Sequence, residues 1–85
     1  MAGYSVGIKR SAAKELEALP VRERRRVVRR ISALAVDPRP RGCEKLSGDE
    51  KYRLRQGSFR IVYQVDDHGS AVTIVKIGHL RDVYR

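Results

Sequence analysis

Apolar and polar residues alternate in some stretches of this chain and recur at helical spacing in others. Near the start, Tyr4, Val6 and Ile8 alternate with Ser5, Gly7 and Lys9, which predicts a short, half-buried strand. Ala12, Leu16 and Leu19 fall on one stripe of a short helix from Ala12 to about Leu19, with Ser11 placed to cap it. A second helix is predicted from about Pro20 to Val36. Proline suits the first turn, where its missing N–H costs nothing, and Val27, Val28, Ile31, Leu34 and Ala35 form the apolar face. Asp37-Pro38-Arg39-Pro40-Arg41-Gly42 ends it, because closely spaced prolines suit neither helix nor sheet.

The second half of the chain has strand periodicity. Glu44 to Glu50 reads as a loop that Leu46 anchors on the core. Tyr52, Leu54 and Gln56 alternate with Arg53 and Arg55, Gly57-Ser58 is a two-residue turn signal, and Phe59 to Val65 is a second strand rich in aromatic and β-branched residues. A two-residue loop fixes the register: Gln56 faces Phe59, Arg55 faces Arg60, Leu54 faces Ile61 and Arg53 faces Val62. One face then carries Tyr52, Leu54, Phe59, Ile61, Tyr63 and Val65 towards a core. After the polar turn Asp66 to Ser70, the apolar run of Ala71 to Ile77 predicts a last, central strand covered on both faces. The tail Gly78 to Arg85 leaves the sheet at Gly78. The order is that of an α+β domain, residues 1–85. Two N-terminal helices pack on one face of a small, mostly antiparallel four-stranded sheet, β-α-α-β-β-β.

Charge changes this picture. The other hairpin face collects Arg53, Arg55 and Arg60. Like charges directly across a strand pair destabilise it by a few tenths to ~1 kcal/mol. An anion in that concavity accounts for the arrangement, and phosphate matches the planar guanidinium fork. A solvated sheet face with splayed arginines accounts for it equally from charge alone. The second helix adds Arg22, Arg24, Arg25, Arg26, Arg29 and Arg30 against Glu23. This reads first as a solvated face and second as a surface that attracts RNA or an acidic partner.

The 85 residues hold 19 Lys+Arg and 10 Asp+Glu, a net charge of +9 that favours a polyanionic partner. The lone Cys43 cannot form an intrachain disulfide, and the spacing of His, Cys and acidic residues offers no metal site. No signal-peptide or membrane-spanning run is present, so a soluble, cytoplasmic protein is expected, with no cofactor or metal and no membrane association.

Four stretches, Lys45-Leu-Ser-Gly48, Tyr52-Arg-Leu-Arg55, Phe59-Arg-Ile-Val-Tyr-Gln-Val65 and Ile77-Gly-His-Leu-Arg-Asp-Val-Tyr84, together resemble the RelE-type toxins of the RelE/ParE toxin–antitoxin superfamily. The resemblance covers nearly the whole chain and implies the fold just derived. It also implies a ribosome-dependent endoribonuclease that cuts mRNA in the ribosomal A site, and a cognate RelB-like antitoxin with an acidic amphipathic segment. In the ribonuclease branch, the residues matching Arg53 and Arg55 flank the scissile phosphate. The one matching Arg60 stabilises its charge, and the one matching Tyr84 stacks on or orients a base. Arg53, Arg55, Arg60 and Tyr84 are thus the implied RNA-binding set. The best-known ribonuclease members carry lysine where this chain has Arg53 and Arg55, and an arginine where it has Leu80. Arg81 stands next to that gap.

RNA supplies its own nucleophile, the 2′-hydroxyl. Cleavage needs a base for its proton and charge stabilisation on the phosphate. Arg55 and Arg60 suit the second task. Arginine keeps its proton at any physiological pH and makes a poor base, so His79, with Asp82 to orient it, is the candidate for proton transfer. The bland reading of His79 is a structural or solvated histidine. For Tyr84 it is packing of the tail, and His68 belongs to the surface turn. Two other functions share the fold: a ParE-like inhibitor of DNA gyrase that binds protein without hydrolysis, and a weakly active relative that retains antitoxin binding.

Overall fold

The computed structural model describes residues 3–46 and 50–79. Along the chain run β1 (Ser5–Ile8), α1 (Arg10–Glu17), α2 (Val21–Ala33), β2 (Glu44–Lys45), β3 (Lys51–Gln56), β4 (Phe59–Asp66) and β5 (Ala71–His79). The strands form one five-stranded sheet in the order β1-β5-β4-β3-β2. β1 runs parallel to β5, and every other pairing is antiparallel. The sheet is one strand larger than the sequence predicts. The addition is β2, which pairs Glu44 with Arg53 and Lys45 with Tyr52 inside the stretch read as a loop.

Both helices start and stop for local reasons. α1 begins at Arg10, two residues before the predicted start, with Lys9 as its cap and no side-chain capping bond, so Ser11 lies inside the helix. Pro20 precedes α2 in an extended conformation (φ −54°, ψ 148°), a start that its fixed φ favours. α2 ends at Ala33, before the predicted Val36. There the bonds tighten to i→i−3, from Leu34 N to Ile31 O, Ala35 N to Ser32 O and Val36 N to Ala33 O. Ala12, Val27 and Leu34 are buried against the sheet with Leu16, Leu19 and Ile31 beside them, whereas Val28 turns outward, 42 % exposed.

The hairpin holds the predicted register residue for residue, from Gln56 opposite Phe59 to Arg53 opposite Val62. Gly57, at the first central position of the turn, has φ +61°, which a II′ hairpin turn requires of that position. Tyr52, Leu54, Ile61, Tyr63 and Val65 are buried under the helices, and Phe59 at the hairpin tip is half-buried. Strand β5 lies between β1 and β4, beside the central strand β4, and supplies Val72, Ile74 and Ile77 to the same core; its other face, with Thr73, Val75 and Lys76 only partly buried, lacks the cover expected on both sides. That spacing breaks period two, and a bulge explains it. Tyr63 pairs with Ile74 and Val62 with Lys76, so Val75 is the extra residue. Val75 and Lys76 therefore both turn to the face away from the helices.

A polar cluster closes the sheet at the end far from the hairpin tip. Arg39 donates to both oxygens of Asp67 (3.2 and 2.9 Å), to Glu50 Oε2 (3.4 Å) and to the Tyr52 hydroxyl (2.8 Å). The Tyr4 hydroxyl donates to Asp67 Oδ1 (2.6 Å) and that of Tyr52 to Glu50 Oε2 (2.9 Å). These bonds pin the proline-bearing loop to the base of the hairpin. The hydrogen bond from Arg39 holds the Asp67 carboxyl below its ordinary range, and that from Tyr52 does the same for Glu50. Tyr63, buried and donating to the Pro38 carbonyl (2.8 Å), has its phenol pushed up mainly by desolvation.

Candidate nucleic-acid interface

Strand alternation puts Arg53, Arg55 and Arg60 on the helix-free face of the sheet, as their parity requires. Arg55 is exposed, and its backbone carbonyl accepts from Nη2 of Arg30 on α2 (3.5 Å). Across the hairpin Arg60 is only 6 % exposed. On its other side Arg60 pairs with Gly78, which brings no side chain against the guanidinium. Arg53 is held from β2, where its Nε and Nη2 both donate to Glu44 Oε1 (3.2 and 3.0 Å). Arg55 and Arg60 are thus cross-strand partners on one face, with Arg53 two residues along β3.

His79 is elsewhere, which corrects the expectation that it reaches this groove. β5 continues past Gly78, so His79 pairs with Phe59 instead of leaving the sheet. Its parity is that of Ile77, which faces the helices. The imidazole meets the Phe59 ring edge-on at 5.7 Å and lines a cavity of about 440 Å³ with Pro20, Glu23 and Arg26 of the α2 end and the turn residues Gly57 and Ser58. The sheet itself separates His79 from Arg60. Leu46 is the second correction. It follows the parity of Glu44 and lines the arginine face beside Lys51, while Cys43, two residues before Lys45, packs towards the core. His68 is exposed in the β4–β5 turn. Leu80, Arg81, Asp82 and Tyr84 lie outside the described residues.

Sequence reasoning missed Glu44, because a two-residue strand carries no periodicity. Its role is visible only once β3 presents an open edge for it to pair with. On α2, Glu23 approaches Arg26 at 3.9 Å, and Arg24 donates to the Glu17 carbonyl at 3.4 Å. Arg22, Arg25 and Arg29 are exposed on a ridge of the helix. The arrangement can bind an anion on the sheet face, hold it between Arg55 and Arg60, and neutralise charge that develops on it.

Known proteins share this fold. The family described as "ParE toxin of type II toxin-antitoxin system, parDE" matches residues 6–84. Toxin RelG of Mycobacterium tuberculosis is 30% identical over 86 residues, spanning 96% of this chain and 97% of that protein. Among solved structures, a chain of the RelBE2 toxin–antitoxin complex of M. tuberculosis superposes with a TM-score of 0.80 at 28% identity, covering 93% of each chain. One from the archaeal RelE–RelB complex of Pyrococcus horikoshii gives 0.79 at 29% identity, covering 91% of this chain and 94% of that one. A chain of the ParDE system of Pseudomonas aeruginosa shares the fold, with a TM-score of 0.75 at 15% identity and coverage of 93% and 98%.

Proposed function

The chain is a toxin of the RelE/ParE superfamily of type II toxin–antitoxin systems, and from that membership we propose that it is a ribosome-dependent endoribonuclease that cleaves mRNA in the A site and so stops translation in the cytoplasm. The observation that carries this reading is the Arg55–Arg60 pair, set cross-strand on the helix-free sheet face with glycine beyond it. Cross-strand like charges destabilise the hairpin, and a phosphate bound between the two guanidiniums would offset that repulsion. Cleavage by the RNA's own 2′-hydroxyl asks the protein for in-line positioning and charge stabilisation. Arg60, fixed by burial, suits the developing phosphorane charge, and Arg55 and Arg53 suit its flanks. The family resemblance assigns Tyr84 to the same site as a base-stacking platform, and Arg81 stands beside Leu80, where the best-known ribonuclease members carry an arginine. RelE-type relatives are solved in complex with RelB antitoxins. A RelB-type antitoxin with an acidic amphipathic segment is the corresponding partner here, matched to a chain of net charge +9.

Primer extension on a defined mRNA held in purified ribosomes tests the reading, with this protein and its Arg60→Ala variant. A cut confined to the A-site codon and lost in the variant supports it. A second reading, inhibition of DNA gyrase, draws on the ParE description of the matching family. Growth arrest without any cut, together with blocked supercoiling by gyrase in vitro, would decide for that alternative.

A further inference from the structure

Beside the arginine row, the same face holds a cavity of about 360 Å³. Its floor is aliphatic: Leu46, Val62 and Val75. Its rim is cationic: Lys9, Lys51, Arg53 and Lys76. The combination needs explaining, because the bulge in β5 turns a valine out of the core to build this floor. Bulges commonly re-aim side chains next to functional sites. We propose that this cavity is a nucleotide subsite: a base of the RNA strand lies on the Leu46–Val62–Val75 floor, and the flanking phosphates meet Lys9 and Lys51. The proposal rests on the endoribonuclease reading and extends it to a neighbour of the scissile nucleotide.

Three observations favour RNA as the occupant. Arg53 lines the cavity and also stands in the arginine row, so one strand engages both. Arg53 and Arg55 are two residues apart on β3, about 6.6 Å, which is the scale of one step of an extended nucleic-acid chain. Small-ligand sites start at about 300 Å³, so the volume suits one nucleotide. Two of the rim charges are already shared, Lys76 with Glu15 (2.5 Å) and Arg53 with Glu44 (3.0 Å). Lys9 and Lys51 are therefore assigned the phosphates.

The test is fluorescence anisotropy with labelled single-stranded RNAs, a trinucleotide and a hexanucleotide, made uncleavable by 2′-O-methylation. The hexanucleotide is expected to bind the wild type more tightly than the trinucleotide, and Val75→Asp to remove that advantage. Each phosphate of a single strand that the protein no longer neutralises lowers the slope of log affinity against log salt by about 0.7, so Lys51→Ala removes about 0.7 and Lys9→Ala/Lys51→Ala about 1.4. Arg60→Ala weakens both lengths alike. All variants are compared at matched thermal melting. If Lys51→Ala and Val75→Asp bind like wild type while Arg60→Ala does not, the subsite is overturned and the endoribonuclease reading stands. If the wild type binds neither RNA, the subsite is overturned, and the endoribonuclease reading is decided by primer extension on ribosomes. Weaker affinity for an acidic antitoxin peptide in these variants, with RNA binding intact, would give the cavity to a protein partner instead.

Discussion

Arg60 stands directly across the hairpin from Arg55, yet it is 6 % exposed while Arg55 is open to solvent. One guanidinium is built into the sheet and the other waits on its surface. Cross-strand like charges cost a few tenths to ~1 kcal/mol. Arg55→Thr should therefore raise stability by about that amount, since threonine also suits a strand. The same change should lower the rate of mRNA cleavage on the ribosome. Urea unfolding midpoints and single-turnover cleavage, measured on the same preparations, check both directions. A variant that gains no stability would mean the two charges are already well screened.

Glu44 fixes Arg53 through a pair whose side chains are 63% and 17% exposed respectively. Pairs this open to water contribute at most ~1 kcal/mol, so Glu44→Gln should leave the fold nearly as stable. Its effect should appear in the chemistry. With its anchor weakened, Arg53 samples more rotamers, and a misplacement on the order of 1 Å at a reacting centre costs up to about 10²-fold in rate. Cleavage reduced at least about fivefold, with the melting temperature nearly unchanged, is the expected outcome. Equal cleavage by mutant and wild type would show that the Glu44 contact plays no part in positioning.

His79 is the only histidine on the last strand, and its side chain faces the helices beside Phe59. A general base removed by mutation costs about 10²–10⁴-fold in rate. Because the sheet separates His79 from Arg60, His79→Ala should stay within about threefold of wild type, far short of that loss. Ribosomal cleavage assays across neutral pH give the answer. A drop of two orders of magnitude would require the strand to unpair at Gly78 during the reaction.

The hairpin is legible in the sequence because one glycine and a two-residue loop leave a single register for Phe59 to Val65. Burial of Tyr52, Leu54, Ile61, Tyr63 and Val65 then follows from parity alone. The parts that are not legible each depend on a partner strand. β2 exists because β3 has an open edge beside Tyr52 and Arg53. The bulge at Val75 exists because β5 must place both Ile74 and Ile77 in one core while pairing with β4. His79 could approach the arginines only if β5 ended at Gly78. Pairing with Phe59 extends the strand and reverses the side the histidine faces. The arginine row follows directly from strand alternation, whereas the burial that distinguishes Arg60 from Arg55 does not.

The cluster around Arg39 gives the fold a dependence on pH that is separate from the site. Asp67 and Glu50 both have depressed carboxyl values in the folded state, Asp67 chiefly through Arg39 and Glu50 chiefly through Tyr52. A carboxyl depressed on folding stabilises the native state at pH above its unfolded value, near 3.8 for Asp67 and 4.5 for Glu50. That contribution is lost as pH falls through and below those values. At the alkaline end the sign reverses. The Tyr63 phenol is raised above its ordinary 10.0 by burial, so it favours the folded state below pH 10 and loses that effect as pH climbs. Melting temperature should therefore be flat through neutrality and fall on both the acid and the alkaline side. Asp67→Asn should flatten the acid limb and also soften the alkaline one, because the Tyr4 phenol is raised chiefly by its hydrogen bond to Asp67, whereas Tyr63→Phe should act on the alkaline limb alone. Melting curves from about pH 3 to about pH 11 for the three proteins separate these contributions. An acid limb unchanged in Asp67→Asn would remove the Arg39–Asp67 contact from the account of acid stability.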